Sequence, residues 1–355
     1  MTGKTMEISD LEFSLVETRR VDTQQPVRSV LVRLTTDSGM EGWGEAAIGW
    51  RAGELAARRD ALLPLLAGRN VFDIEELHAE SLGSAPLRCA LEMACWDLAG
   101  RATGQPLYHL FGGGYRRRIP LAVRLFGDTP ERTARVAREL ADQGFHCQIV
   151  TACGKVQDDL QALRAVGEAV GDRAELRLDG AGLYDGETAA ELCAEIESKC
   201  GGLQCLLDPL DSRELYSVAA LGRQTRVPLA VWRAIGAPGD VLAVVRSGAA
   251  RFVVLDLGKV GGMVPARNCT AVAAAGDVSA LLCGEPSLGI ATAAMLQLAA
   301  STPALSGSNE CAYHQLHDDV LVEPLEIVDG MMAVPQGPGL GIEVDRAKVE
   351  RYRVT

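Results

Sequence analysis

Alternating apolar and polar positions mark the first ~60 residues as antiparallel sheet. Ser29–Leu34 is a β-branched run, Asp37-Ser38-Gly39 a turn, and Gly42-Trp43-Gly44-Glu45-Ala46 the next strand. From Glu54 to about Arg101 the period lengthens to that of a helix. Leu87, Leu91, Ala94, Cys95 and Leu98 share one stripe, which predicts a buried helix over Leu87–Gly104, and Gly112-Gly113-Gly114 then punctuates a boundary. From Ile119 onward short apolar strands are expected at Leu121–Leu125, Cys147–Val150, Leu176–Leu178, Cys205–Leu207, Leu229–Val231, Phe252–Leu255 and Ala280–Cys283. Amphipathic, Ala-rich helices such as Pro130–Gln143 and Val156–Val170 separate them. About seven β-α units spaced ~25–30 residues apart predict an α/β fold with a parallel barrel inside a ring of helices. A doubly wound open sheet competes, although no Gly-x-Gly-x-x-Gly follows the first strand. After Asp319 short strands and turns resume and end in Pro335-Gln336-Gly337-Pro338-Gly339-Leu340-Gly341. That tail has no place in a barrel repeat and is expected to return to the N-terminal sheet.

Charge and composition narrow the function. The chain has 355 residues with 35 Lys+Arg against 47 Asp+Glu, a formal charge of −12, and 48% hydrophobic residues. The acidic balance excludes non-specific nucleic-acid binding, which needs a cationic face. No apolar stretch approaches the ~18 residues of a membrane span. No apolar region follows Met1-Thr2-Gly3-Lys4, so a cytoplasmic protein is expected. Ten cysteines are present without any Cys-x-x-Cys, and Cys89, Cys95, Cys147, Cys205, Cys269 and Cys283 sit in apolar runs. Reduced, buried thiols are the expectation.

An ordered set of segments resembles the enolase superfamily, in its muconate-lactonizing enzyme and mandelate racemase branch. In the N-terminal part these are Gly42–Ala46, Ala94-Cys95-Trp96-Asp97-Leu98-Ala99-Gly100, Gly104-Gln105-Pro106-Leu107 and Leu110–Gly113. Gly144-Phe145, Leu176–Asp179, Asp208-Pro209-Leu210, Lys259–Met263, Pro286–Ala291, Asp329-Gly330 and Pro338–Gly341 follow. The resemblance implies a (β/α)7β TIM-like barrel at 118–318. It also implies an α+β capping domain formed by both chain ends, 1–117 with 319–355 returning to it. It further implies proton abstraction beside a carboxylate, with the enediolate held by Mg²⁺ on three acidic side chains. Relatives commonly form dimers or octamers, so a homo-oligomer acting on a small molecule is expected.

Carried over residue by residue, most of that site is substituted. The Lys-x-Lys of the second strand falls on Ile149-Val150-Thr151. Asp179 keeps the first metal position, whereas Leu207 and Trp232 stand at the second and third, the latter followed by Arg233. Asp208, one residue past Leu207, is not expected to compensate, because side chains alternate across a strand. Asp256 matches the racemase branch on the sixth strand, without a His partner in Cys283-Gly284-Glu285, and Glu310 keeps the eighth-strand acid. One carboxylate of three cannot hold Mg²⁺, so no metal and no other cofactor is expected, with Mg²⁺ as the fallback.

The candidate catalytic residues are accordingly Asp256, Glu310, Glu285 and Asp179. Arg233, Trp232, Thr151, Arg124 and Trp50 are candidates for substrate binding. Arg233, alone or with Arg124, would grip a carboxylate. Each has a plainer alternative. Asp179 can cap a turn or pair with Arg233, Asp256 can pair with Lys259 or Arg233, and Trp232-Arg233 can plug a dead site. Two functions stay open. One is a metal-independent isomerase, cyclase or lyase acting on a small anionic or polar substrate. The other is a non-catalytic homologue with a binding or scaffold role, and a Mg²⁺-dependent racemase or cycloisomerase with unusual ligands is a further alternative.

Overall fold

The computed structural model describes residues 6–21, 23–79, 82–200, 202–284 and 286–355. Strands β1 (Ile8–Arg19), β2 (Pro26–Thr36) and β3 (Glu41–Ala46) form an antiparallel sheet. Helices α1 (Leu55–Leu66), α2 (Ile74–Ala79), α3 (Ala85–Thr103) and α4 (Leu107–Leu110) follow. Helix α3 ends where Gly104 turns left-handed at φ 66°. The glycines of Gly42-Trp43-Gly44 have a packing reason. A Cβ on Gly42 would meet the Ala94 carbonyl at 2.3 Å, and one on Gly44 the Ala90 carbonyl at 1.8 Å, so α3 lies directly on β3. Asp97 of α3 accepts from the Trp43 and Leu340 amides and from Arg101, tying sheet, helix and tail together.

The barrel strands are β4 (Arg118–Arg124), β5 (Cys147–Thr151), β6 (Glu175–Asp179), β7 (Cys205–Leu207), β8 (Leu229–Val231), β9 (Phe252–Asp256), β10 (Ser279–Cys283) and β11 (Asn309–Glu310). Between them run α5 (Pro130–Asp142), α6 (Val156–Val170), α7 (Gly186–Lys199), α8 (Leu215–Gly222), α9 (Pro238–Ser247), α10 (Leu257–Val260), α11 (Met263–Ala275) and α12 (Gly289–Ser301). Helix starts carry their own signals. Thr129 caps α5 ahead of Pro130, and Asp185 and Thr188 form a reciprocal capping box on α7. Parallel pairing of β11 with β4 closes the barrel, and the Leu282 amide donates to Asn309 Oδ1 across the seam. Closure removes the doubly wound alternative.

The tail divides between two partners. Strand β4 pairs with β5 only from Ala122 on, which leaves Arg118–Pro120 as an open edge. The hairpin β12 (Ile327–Val328) and β13 (Met331–Ala333) fills that edge rather than joining the N-terminal sheet. Helix α13 (Arg346–Tyr352) does reach the sheet, where Arg353 bridges Val16 and the Val354 amide donates to Leu15. All ten cysteines are free thiols. Among the described residues no helix is long and apolar enough to cross a membrane.

Buried carboxylates latch the cap onto barrel helices. Glu92 of α3 accepts from the Met263 and Val264 amides at the start of α11. Glu45 of β3 accepts from the Leu288 and Ala291 amides at the start of α12 and from the Ser29 hydroxyl. Burial pushes the Glu45 carboxyl up to about 7, against the pull of those donors. The folded protein therefore holds this proton more tightly than the unfolded chain. The associated stability is full below pH ~4.5 and is lost as pH rises through about 7, roughly 3 kcal/mol in all. Glu45→Gln removes the titration, so the wild-type minus variant difference in urea-unfolding free energy is expected to shrink by about that amount between pH 4 and 8. A pH-independent difference would refute the assignment.

Candidate active site

The C-terminal ends of β4, β5, β6, β8 and β11 bring one charged cluster to the barrel mouth. Arg124 ends β4 and donates to Glu310 through Nε (2.8 Å) and Nη2 (3.2 Å). Its Nη1 donates to Asp179 Oδ2 (2.8 Å) and Thr151 Oγ1 (2.9 Å). Arg233, just beyond β8, donates to both oxygens of Asp179 at 2.9 Å and to Asp208 at 3.0 Å. The Trp232 ring lies against both guanidinium groups, 4.4 Å from that of Arg233 and 5.8 Å from that of Arg124.

The electrostatics follow from these contacts. Burial alone would raise Asp179, which is 1% exposed, but the Arg233 hydrogen bonds and the charges of Arg124 and Arg233 outweigh it. Asp179 is therefore held below the ordinary carboxylate range and is a poor proton acceptor. Both of its oxygens are taken, so it stands as a clamp between the two arginines. Burial would lower both arginines, yet their carboxylate partners raise them further.

Asp208 reverses an expectation. It is buried and accepts from the Trp232 and Arg233 amides as well as the Arg233 guanidinium. Strand alternation does not apply to it because β7 ends at Leu207 and Asp208 adopts φ 38°. The backbone turn swings its carboxylate to the mouth. Burial raises it, with the amides and Arg233 pulling the other way. The Asp-Pro pair was the only signal of it in the sequence.

Glu310 is half-buried and lines two adjoining cavities. The first, of about 340 Å³, contains Thr151, Asp179, Trp232, Arg233, Arg124 and, from the cap, Arg20. The second, of about 290 Å³, contains Asp256, Lys259 and residues of the cap. Asp256 accepts from the Gly258 and Lys259 amides, and the Lys259 ammonium donates to the Arg233 carbonyl. Glu285 lies outside the described residues. Trp50 lines neither cavity: half-buried, it packs edge-on against Phe13 at 5.2 Å with Arg58 over its ring, on the flank of the cap core. Trp50→Ala is expected to lower unfolding free energy by about 2 kcal/mol and leave ligand affinity unchanged, checked by urea denaturation and calorimetry. Arg20 and Phe126 escaped the sequence reading because they lie far apart in the chain and carry no motif.

A divalent ion does not fit this arrangement. Both Asp179 oxygens are taken by guanidinium groups, Leu207 is apolar and Trp232 fills the third position. Among the described residues no group of three His, Cys, Asp or Glu could hold a metal.

Residues 132–348 match the family model for the enolase C-terminal domain-like fold, and residues 16–112 the mandelate racemase / muconate lactonizing enzyme N-terminal domain. The chain is 30% identical to a chloromuconate cycloisomerase of Cupriavidus pinatubonensis, over 91% of this chain and 91% of that protein. It is 27% identical to muconate cycloisomerase 1 of Rhodococcus opacus, over 93% and 91%. Among solved structures it is similar to an enolase from Streptomyces coelicolor described as having no Mg and an ordered loop. The TM-score is 0.87 and the identity 29%, over 98% of this chain and 96% of that one. These matches overturn the expectation that no metal cofactor takes part, because the matched family is a divalent-metal family. The misfit at Asp179, Leu207 and Trp232 is a property of this chain's residues and does not make its reaction metal-free.

Proposed function

The chain belongs to the mandelate racemase / muconate lactonizing enzyme branch of the enolase superfamily, and from that premise we propose that it moves a carbon-bound proton of a small anionic substrate at the barrel mouth. It is an enzyme of isomerase or lyase type. The observation that carries the reading is Glu310, a carboxylate on the wall shared by both cavities and aimed by the bidentate Arg124 contact.

Glu310 takes the proton from the carbon beside the substrate's carboxylate. The C–H electron pair moves into that carboxylate, and the developing negative charge is placed in the chamber lined by Arg20, Arg124 and Arg233. The proton returns to carbon, or a leaving group departs, with Asp256 on the same chamber as the second acid–base group. Asp179 and Asp208 hold the Arg124 and Arg233 guanidinium groups in place. The test is proton exchange: small carboxylates are incubated with the enzyme in D2O and their C–H signals followed by NMR. Wild type is expected to wash deuterium into at least one carbon acid. No exchange across a panel of aliphatic, aryl and hydroxy carboxylates would count against the proposal.

A further inference from the structure

The two cavities at the mouth share Gly284, Glu310, Cys311 and Ala312, yet their walls differ in kind. The 290 Å³ chamber is lined by Ala46, Ala47, Pro86, Met93, Leu257 and Met295. Its charged wall groups already have partners. Glu45 takes two amides and a hydroxyl, Asp256 two amides and Glu310 the Arg124 guanidinium, while Lys259 gives to a carbonyl. A hydroxyl-rich ligand placed there would bury polar groups with few partners to replace water. The space is ample for an apolar body: a cavity of about 150 Å³ already holds a benzene ring.

The polar chamber has its own charge problem. Two guanidinium groups, Arg124 and Arg233, face three carboxylates, Asp179, Asp208 and Glu310. The barrel groups are thus net negative and do not by themselves attract an anion. Arg20 changes that balance. It directly follows β1 in the cap hairpin, whose backbone is seated on the barrel mouth through Arg20–Leu316 and Val21–Gln315 contacts. Its guanidinium lies over the Phe126 ring at 5.2 Å, and among the described residues it has no carboxylate partner.

We propose that the substrate is a carboxylate with an apolar body, its anionic group paired to Arg20 in the polar chamber and its body seated in the apolar chamber under the cap. The reacting carbon then lies where the chambers meet, beside Glu310. The inference rests on the mouth being the substrate site and adds the substrate class and its anchor.

Calorimetric binding to the full-length protein tests it without needing turnover. The probes are acetate, butyrate, phenylacetate and 4-phenylbutyrate, with gluconate as the hydroxylated comparison. Affinity is expected to rise about three- to fivefold per buried methylene, and gluconate to bind more weakly than the apolar acids of similar length. Arg20→Ala is expected to weaken every apolar acid about tenfold. Ala47 is exposed, so Ala47→Trp folds and fills the chamber, abolishing the length dependence while leaving acetate unchanged. A flat series, gluconate as the tightest ligand, or an Arg20→Ala protein that binds as wild type overturns the proposal. A rising series without deuterium exchange would keep the substrate class and remove the proton-transfer reading instead.

Discussion

Glu310→Gln is expected to lower turnover by about 10²–10⁴-fold while leaving substrate affinity and melting temperature nearly unchanged. Gln keeps the shape of the side chain and can still accept from Arg124 through its carbonyl, so the positioning contact survives in part. What is lost is the ability to take a proton. The effect is specific to kcat: a residue that merely bound substrate would raise KM instead. Steady-state kinetics together with deuterium exchange separate the two. A Glu310→Gln enzyme that retains full exchange would move the proton-transfer role elsewhere on the mouth, with Asp256 the next group to replace.

Asp179→Ala is expected to destabilise the fold strongly. Both of its oxygens receive guanidinium hydrogen bonds, and it is 1% exposed. Removing it leaves like charges facing one another over the Trp232 ring. Arg233, with a side chain 39% exposed, partly returns to water, whereas Arg124, at 16%, does not. Breaking a buried pair in this way costs about 3–5 kcal/mol, and the partial escape of Arg233 puts the expectation near the lower end, about 3 kcal/mol. Asp179→Asn, which keeps the shape without the charge, is expected to fall between wild type and alanine. Urea denaturation read by circular dichroism checks both, and an unchanged midpoint in the alanine protein would show that the clamp is not needed for the fold.

The same residues show where sequence reasoning reached and where it stopped. The barrel strands follow from short apolar runs between amphipathic helices, because a strand buried on both faces has no choice of residue type. The reason for Gly42 and Gly44 came from the structure, where only glycine fits beneath the α3 backbone. Arg124, Asp179, Trp232, Arg233 and Glu310 were legible as a group because each ends a barrel strand or lies within two residues of its end, and those ends converge on one face.

What remained hidden was set by the chain leaving regular structure. Asp208 turns into the site through a positive φ at the residue where β7 stops, and periodicity carries no information past a strand's end. Trp50 packs on the flank of the cap core beside Phe13, a matter of which side of the sheet its loop folds over. Arg20 reaches the mouth only because the cap hairpin rests on the 315–317 segment of the barrel. Sequence by itself determined the order of elements and which strand ends carry charge, since those depend on local periodicity. Tertiary structure alone decided which charges cancel, which one is left for a ligand, and where an apolar chamber opens beside them. Those depend on distances between segments remote in the chain.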